Sequence, residues 1–124
     1  MNSGPAVSEG FTRDDRLRKR REFEECYASG VRVSGRHIQL FLLGGESRPR
    51  LGVSVSRRVG SSVVRNRVRR RLREIFRRSR ALLGPRAARV VVNARPTAAS
   101  APFSELAEDY RSALSRALSR LPRP

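Results

Sequence analysis

The sequence is poor in the residues that build cross-links, metal sites and membrane spans. Its single cysteine, Cys26, cannot form an intramolecular disulfide. It has one histidine, His37, which we expect on the surface of a strand, and no cysteine–histidine cluster at the spacing of a zinc site. No apolar run approaches the roughly 18 residues of a membrane span, and the N-terminus lacks the apolar core of a secretory signal. We therefore expect a cytoplasmic protein that binds no metal by itself.

Acidic residues are also scarce, and this shortage indicates the kind of partner. The 124 residues include 28 Lys and Arg against 11 Asp and Glu, a formal net charge of +17, and only Lys19 is a lysine. A compact chain with this charge repels itself unless a polyanion screens it. Arginine presents a planar fork of donors to phosphate and also stacks on bases. Nucleic acid is therefore the first partner to consider, and an anionic membrane surface is the second.

The same scarcity argues against catalysis by the protein itself. The acids are scattered and form no carboxylate pair, and His37 has no acid or nucleophile at the spacing of a catalytic motif. We therefore expect no catalytic residues in this chain.

The length of the chain suits one domain with a small core. We predict an N-terminal arm over residues 1–15, a folded domain over 16–121 and a frayed end over 122–124. The apolar periodicities of the domain predict the order α-β-β-β-α-β-α, an α/β sandwich with one mixed sheet. The predicted elements are a helix over 16–28, strands over 31–34, 36–43 and 51–56, a helix over 63–80, a strand over 89–93 and a helix over 103–121. We also predict a hairpin loop at 44–49.

The segment 57–80 is the most informative, because it holds eleven arginines and a single acid, Glu74. On a helix at about 100° per residue, its apolar residues gather on one side: Val64, Val68, Leu72, Ile75 and Phe76. The opposite side holds Asn66, Arg70, Arg73 and Arg77, and the borders hold Arg65 and Arg69 on one edge and Arg67, Arg71 and Arg78 on the other. Charge runs are usually only solvated faces, but here neutralising acids are nearly absent. Like charges four residues apart destabilise an isolated helix, and a phosphate backbone would remove that cost.

This part of the chain resembles a known family. The strand Leu51–Ser56, the turn Arg57–Gly60 and the motif Arg65-Asn66-Arg67 at the start of the helix resemble the signature of the bacterial ribonuclease P protein. The resemblance extends from about Leu17 to Leu118. The chain departs from many family members at Ser61, where they have asparagine, although serine also caps a helix. The resemblance implies a ribosomal protein S5 domain 2-like fold with a left-handed β-α-β crossover, against the usual handedness.

The resemblance also implies a function. The family protein helps a catalytic RNA to remove the 5′ leader of precursor tRNA, so those two RNAs are the expected partners, with no membrane and no obligate protein partner. Magnesium would be required by the RNA–protein complex and would not be bound by the protein alone. The residues implied to contact the catalytic RNA are Arg57, Arg58, Arg65, Asn66, Arg67, Arg70 and Arg73. The residues implied to line a leader cleft between the first helix and the sheet are Phe23, Tyr27, Phe41 and Ser54.

Strand alternation supports such a cleft. Phe41 alternates with the apolar residues Ile38, Leu40 and Leu42, and exposed aromatics beside cations are stacking surfaces for unpaired bases. The alternative is that the three aromatics pack together as core beneath the first helix.

Two other functions also remain open. A ribosomal or ribosome-assembly protein would share the charge and a similar fold, but would not need an aromatic cleft. A DNA-binding regulator could use the helix over 63–80 for recognition. That helix, however, follows a strand instead of the helix and short turn typical of such regulators.

Overall fold

The structure, a computed structural model, describes residues 11–84, 86 and 88–122. This part of the chain forms three helices and four strands in the predicted order. The helices are α1 (Arg20–Ser29), α2 (Ser62–Arg78) and α3 (Phe103–Arg120). The strands are β1 (Val31–Ser34), β2 (Ile38–Leu43), β3 (Arg50–Ser54) and β4 (Arg89–Ala94). The mixed α/β fold is therefore confirmed. Most of the predicted arm, residues 1–10, and residues 123–124 of the predicted frayed end lie outside the described residues.

The four strands form one mixed sheet in the order β1-β2-β4-β3. The β1–β2 and β2–β4 pairs are antiparallel, whereas β3 and β4 are parallel and are connected through α2. The predicted hairpin at 44–49 is wrong, because β4 lies between β2 and β3. The reason is burial: Val90, Val91 and Val92 are fully buried on both faces, which only a central strand allows.

The first helix begins at Arg20, not at residue 16 as predicted. The preceding residues lie along the outer edge of β3, where Arg16 forms an isolated parallel bridge with Leu51. The Leu17 N–H donates to the Leu51 carbonyl at 2.9 Å, and the Leu17 side chain is buried. These residues therefore satisfy their backbone through the sheet edge, and the helix starts only after Lys19.

The helices cover the two faces of the sheet unequally. The larger core lies between one face and the helices α2 and α3, and it includes Ile38, Leu40 and Leu42 of β2. The smaller core lies beneath α1 on the other face and consists of Leu17, Cys26, Phe41 and Val91, with Phe23 and Leu43 packed against it. Because α1 is only ten residues long, it leaves part of its sheet face uncovered.

The apolar side of α2 packs as the sequence periodicity predicts. Val68, Leu72, Ile75 and Phe76 are buried in the larger core. Ser61 caps the helix, because its hydroxyl accepts the N–H of Val64 at 3.3 Å. Ser61 thus caps α2 at the position where many family members have asparagine.

Ion pairs fasten α1 to its face of the sheet. Arg89 of β4 is buried and pairs with Glu25 of α1 at 2.8 Å and with Glu46 at 3.0 Å. Arg50 of β3 pairs with Glu22 of α1 at 2.8 Å and also with Glu46 at 3.0 Å. These acids are therefore already neutralised inside the fold.

A buried carboxylate anchors the chain before α1. Asp15 is 3% exposed and closes a 3-10 turn over Arg13–Asp15. It accepts the N–H of Thr12 at 2.7 Å and pairs with Arg48 and, at 2.7 Å, with Arg80. Burial alone would raise the pKa of Asp15, but these partners outweigh burial and the pKa is lowered. Residues 11–15, which we predicted to belong to a flexible arm, are thus tied to the domain.

The buried side of α2 yields a stability prediction. Val68→Ala should lower the free energy of unfolding by about 1–3 kcal/mol, because Val68 is 0% exposed and its truncation leaves a cavity. Arg70→Ala, on the exposed side of the same helix, should change it by less than about 0.5 kcal/mol. Urea unfolding followed by circular dichroism measures both. A larger loss for Arg70→Ala than for Val68→Ala would show that the helix faces are reversed.

The Asp15 anchor yields a pH prediction. Its pKa is lower in the folded chain than in the unfolded one, so its stabilisation is present above the ordinary carboxylate value and disappears as the pH falls through the folded value. Asp15→Asn should therefore cost about 1–3 kcal/mol at neutral pH, and the difference from wild type should shrink below about pH 4. Urea unfolding at a series of pH values measures this difference. A constant difference at every pH would contradict the assignment.

Candidate nucleic-acid interface

The outward side of α2 is cationic and lacks counter-ions over most of its length. Asn66 and Arg70 are exposed, and Arg57 and Arg58 are exposed in the 3-10 turn that precedes the helix. Among the described residues, Arg57, Arg58 and Arg70 have no side-chain hydrogen bond or ion pair. Gly60 joins this turn to the helix with φ of 152°, a conformation that side-chain-bearing residues rarely adopt. Arg57, Arg58 and Arg70 are therefore available to an anionic partner.

The three residues of the Arg65-Asn66-Arg67 motif point in different directions. Arg65 Nε donates to the Gly60 carbonyl at 3.2 Å, which supports the turn. Asn66 Oδ1 accepts from Arg69 Nη1 at 2.8 Å on the outward side. Arg67 instead turns toward α3, where its Nη2 donates to the Ala99 carbonyl at 3.2 Å. Of the sequence-predicted RNA contacts, Arg67 is thus the one that the structure separates from the outward surface.

Charge is most crowded in the middle of α2. Burial lowers the pKa of Arg73, and the positive charges of Arg16 and Arg69 lower it further. Glu74, the one acid of the helix, is engaged elsewhere: hydrogen bonds from Arg77 and Arg78 lower its pKa to about 2. Arg16 was not among the RNA contacts predicted from the sequence, although it lies in the basic run 16–21. We call Arg57, Arg58, Arg65, Asn66, Arg69, Arg70 and Arg73 the α2 surface.

The three predicted cleft aromatics lie together between α1 and the sheet, but they differ in exposure. Tyr27 is 38% exposed, Phe23 is half-buried and Phe41 is only 7% exposed. The Tyr27 ring packs edge-on against Phe41, with ring centroids 4.8 Å apart. The Phe23 ring covers Gly52 so closely that a Cβ there would lie 2.6 Å from Cζ. The core alternative therefore holds for Phe41, which α1 covers, whereas Tyr27 keeps an accessible edge.

A polar row continues the sheet surface beyond Tyr27. Ser54, Asn93 and Gln39 are paired in register across β3, β4 and β2, and Ser54 is exposed as its predicted role requires. The Tyr27 hydroxyl donates to Asn93 Oδ1 at 2.9 Å. Asn93 was not a predicted site residue, although a polar residue directly after three buried valines was the available signal. We call Phe23, Tyr27, Phe41, Ser54 and Asn93 the α1 cleft.

The remaining reactive groups are engaged in the fold. His37 was expected at the surface but is buried, with its ring nitrogens 2.8 Å from Thr97 Oγ1 and from Glu105 Oε1. Burial raises the pKa of Cys26 to about 11, so the thiolate is disfavoured. Within residues 11–84, 86 and 88–122, no three His, Cys, Asp or Glu side chains group to hold a metal ion. In the same residues no helix is both long and apolar enough to cross a membrane.

These features define a class of protein: a small basic α/β domain with one helical surface that fits a polyanion and with an exposed aromatic, Tyr27 of α1, beside the other face of its sheet. Comparison with known proteins identifies the family. The ribonuclease P family model matches residues 11–118. A ribonuclease P protein component from Acidothermus cellulolyticus is 42% identical over 104 residues, covering 82% of this chain and 86% of that protein. One from Thermobifida fusca is 39% identical over 115 residues, covering 86% and 77%.

Solved structures agree with this match. The Staphylococcus aureus RNase P protein superposes with a TM-score of 0.75 at 27% identity, covering 83% of this chain and 94% of that chain. The Thermotoga maritima protein gives 0.73 at 29% identity, covering 82% and 96%. The chain therefore belongs to the ribonuclease P protein family, whose members are protein components of a tRNA-processing ribonuclease. Membership implies RNA binding and an RNA partner in a complex, which decides against the ribosomal and DNA-regulator alternatives.

The α2 surface predicts strong salt dependence of RNA binding. If it neutralises about six to eight phosphates, affinity for a structured RNA should fall by several decades between about 50 and 200 mM salt. Arg57→Ala with Arg70→Ala should reduce the slope of log affinity against log salt by about 1–2. Fluorescence anisotropy over a salt series measures the slope, with Arg111→Ala and Arg116→Ala on α3 as the charge-matched control. A wild-type slope near zero would contradict a phosphate-binding surface.

Proposed function

We propose that this chain binds the catalytic RNA of ribonuclease P through the α2 surface and the 5′ leader of precursor tRNA through the α1 cleft. In this way it assists the endonucleolytic removal of the leader. The observation that carries the proposal is the separation of the two surfaces. The helices α2 and α1 lie on opposite faces of the sheet, so one chain can hold a structured RNA and a single strand at once.

The α2 surface suits a folded RNA. Its exposed arginines lack counter-ions, and guanidinium groups bind phosphate with paired, directional donors. Arg67 serves this surface indirectly, since its bond to Ala99 holds α2 against the segment before α3. The contact residues proposed for the catalytic RNA are those of the α2 surface: Arg57, Arg58, Arg65, Asn66, Arg69, Arg70 and Arg73.

The α1 cleft suits an unpaired strand. Tyr27 offers an exposed ring that Phe41 supports from beneath, and stacking of one base on such a ring contributes roughly 1–3 kcal/mol. Ser54 and Asn93 add hydrogen-bonding groups beside the ring. Mature tRNA has no leader, so it gains none of this stacking or hydrogen bonding. The protein should therefore favour precursor over mature tRNA and so favour product release.

The chemistry in this proposal comes from the RNA and its magnesium ions. The protein would position the substrate and screen phosphates, and it needs no protein partner for either task. The buried His37 and Cys26 are not placed to activate water. A cytoplasmic location, where precursor tRNA is made, completes the proposal.

The α1 cleft yields the test. Tyr27→Ala should reduce the preference of the reconstituted complex for precursor over mature tRNA by about 5- to 100-fold, because one stacked base is lost. Affinity for the catalytic RNA should barely change, since α2 is a separate surface. Equilibrium binding of both tRNAs to complexes made with wild-type and variant protein, at fixed salt, measures the effect.

Matched variants make this test specific. Tyr27→Phe keeps the ring and loses only the bond to Asn93, so most of the preference should remain. Arg70→Ala should weaken assembly with the catalytic RNA and leave the preference intact. Protein and magnesium without the RNA should give no processed product. A Tyr27→Ala variant that loses stability but keeps the full preference would show that the aromatics are only core.

A further inference from the structure

We propose that four cations before and at the start of α1 form a second phosphate-binding surface for the catalytic RNA, held in place by Asp15. We call this set the N-terminal cationic turn: Arg13, Arg16, Arg18 and Lys19. The inference rests on the proposed function, because it names the same RNA partner. It adds a surface outside α2 that the sequence signature does not include.

The first support is a small polar cavity. It has a volume of about 170 Å³ and is lined by Arg13, Asp14, Arg16, Arg18, Lys19, Glu22 and Arg50. Glu22 and Arg50 neutralise each other at 2.8 Å. The four cations of the N-terminal cationic turn have no side-chain hydrogen bond or ion pair with any described residue, and Asp14 is the one acid left to oppose them. The cavity is therefore strongly positive and suits an anion of the size of a phosphate group.

The second support is continuity with α2. Arg16 lies at the outer edge of β3, where it bridges Leu51, and its charge acts on Arg73 together with that of Arg69. Guanidinium groups from two separate segments therefore lie near enough to repel one another. Like charges held together in this way cost free energy, and a bound phosphate removes that cost.

The third support is rigidity. Arg16 lies between two anchored residues, the buried ion-paired Asp15 and the buried Leu17. Asp15 also closes the 3-10 turn that carries Arg13. Cations on a loose tail lose conformational freedom on binding, whereas cations on an anchored turn lose little. The turn is therefore preorganised for binding. A basic segment that only contacts solvent would not need such anchoring.

The position of the turn selects the catalytic RNA over the leader. The cavity includes Glu22 in the first turn of α1, whereas Tyr27 lies near the C-terminal end of the same helix. Along β3, Arg50 lines the cavity, Gly52 lies beneath Phe23, and Ser54 belongs to the α1 cleft. The cavity and the exposed ring of Tyr27 therefore lie at opposite ends of α1. The α2 surface, in contrast, continues directly into the turn through Arg73 and Arg16.

The test compares two charge-matched double variants. Arg16→Gln with Arg18→Gln should weaken binding of the full-length protein to the catalytic RNA by about tenfold or more near 0.15 M salt, and should lower the salt slope by about 1–2. Arg111→Gln with Arg116→Gln, which removes the same charge from α3, should change both much less. The preference for precursor over mature tRNA should stay at the wild-type value. Equal effects of the two double variants would overturn the proposal, and so would a loss of precursor preference without a loss of catalytic-RNA affinity.

Asp15→Asn tests the anchoring by the sign of its effect. The substitution raises the net positive charge, so electrostatics alone would tighten RNA binding, whereas release of the anchored turn should weaken it several-fold. Thermal unfolding confirms that the variant is folded at the assay temperature. Tighter binding would overturn the anchoring role of Asp15. Arg65→Gln with Arg70→Gln separates this proposal from the proposed function. If that variant loses affinity for the catalytic RNA and the Arg16→Gln, Arg18→Gln variant does not, the role of the N-terminal cationic turn is refuted and the role of the α2 surface stands.

Discussion

Burial of β4 on both faces is the constraint on which the rest of the structure depends. Val90 and Val92 pack toward α2 and α3, while Val91 packs toward α1. A strand that is apolar on both sides must be central, so β4 lies between β2 and β3 and pairs in parallel with β3. The helix that connects β3 to β4 then covers one face and α1 covers the other. The separation of a cationic surface from an aromatic cleft follows from this single strand.

The few acids decide which arginines remain available. Most of the carboxylates are engaged by arginines within the fold: Asp15 with Arg48 and Arg80, Glu22 and Glu46 with Arg50, Glu25 with Arg89, Glu74 with Arg77 and Arg78, and Glu105 with Arg36. Apart from the Glu74 pairs, which lie within α2, these pairs lie where segments are joined: α1 to the sheet, the first turn to the domain, and the β1–β2 turn to α3. The middle of α2 and the N-terminal cationic turn receive no such partner. A net charge of +17 is therefore not spread evenly but concentrated where the fold places no acid.

The α1 cleft shows how one set of aromatics can serve both packing and binding. Phe41 is covered and supports Tyr27, Phe23 covers Gly52, and only Tyr27 keeps an accessible edge. The short α1 makes this possible, because a longer helix would cover the polar row at Ser54 and Asn93 as well. Exposure of an aromatic next to open strand ends is therefore a consequence of helix length.

The order of elements and the two sides of α2 could be read from the sequence, because both depend on local periodicity. Val68 and Leu72 lie on the buried side and Arg70 on the exposed side because a helix repeats every 3.6 residues whatever surrounds it. The family resemblance, and not local pattern, pointed to Tyr27 and Ser54. Local pattern could not show that β4 separates β2 from β3, that residues 16–17 extend the edge of β3, or that Arg67 turns to Ala99 and Arg16 approaches Arg73. Each of these depends on contacts between residues distant along the chain, and such contacts are decided only when burial and backbone hydrogen bonding are satisfied together in the folded domain.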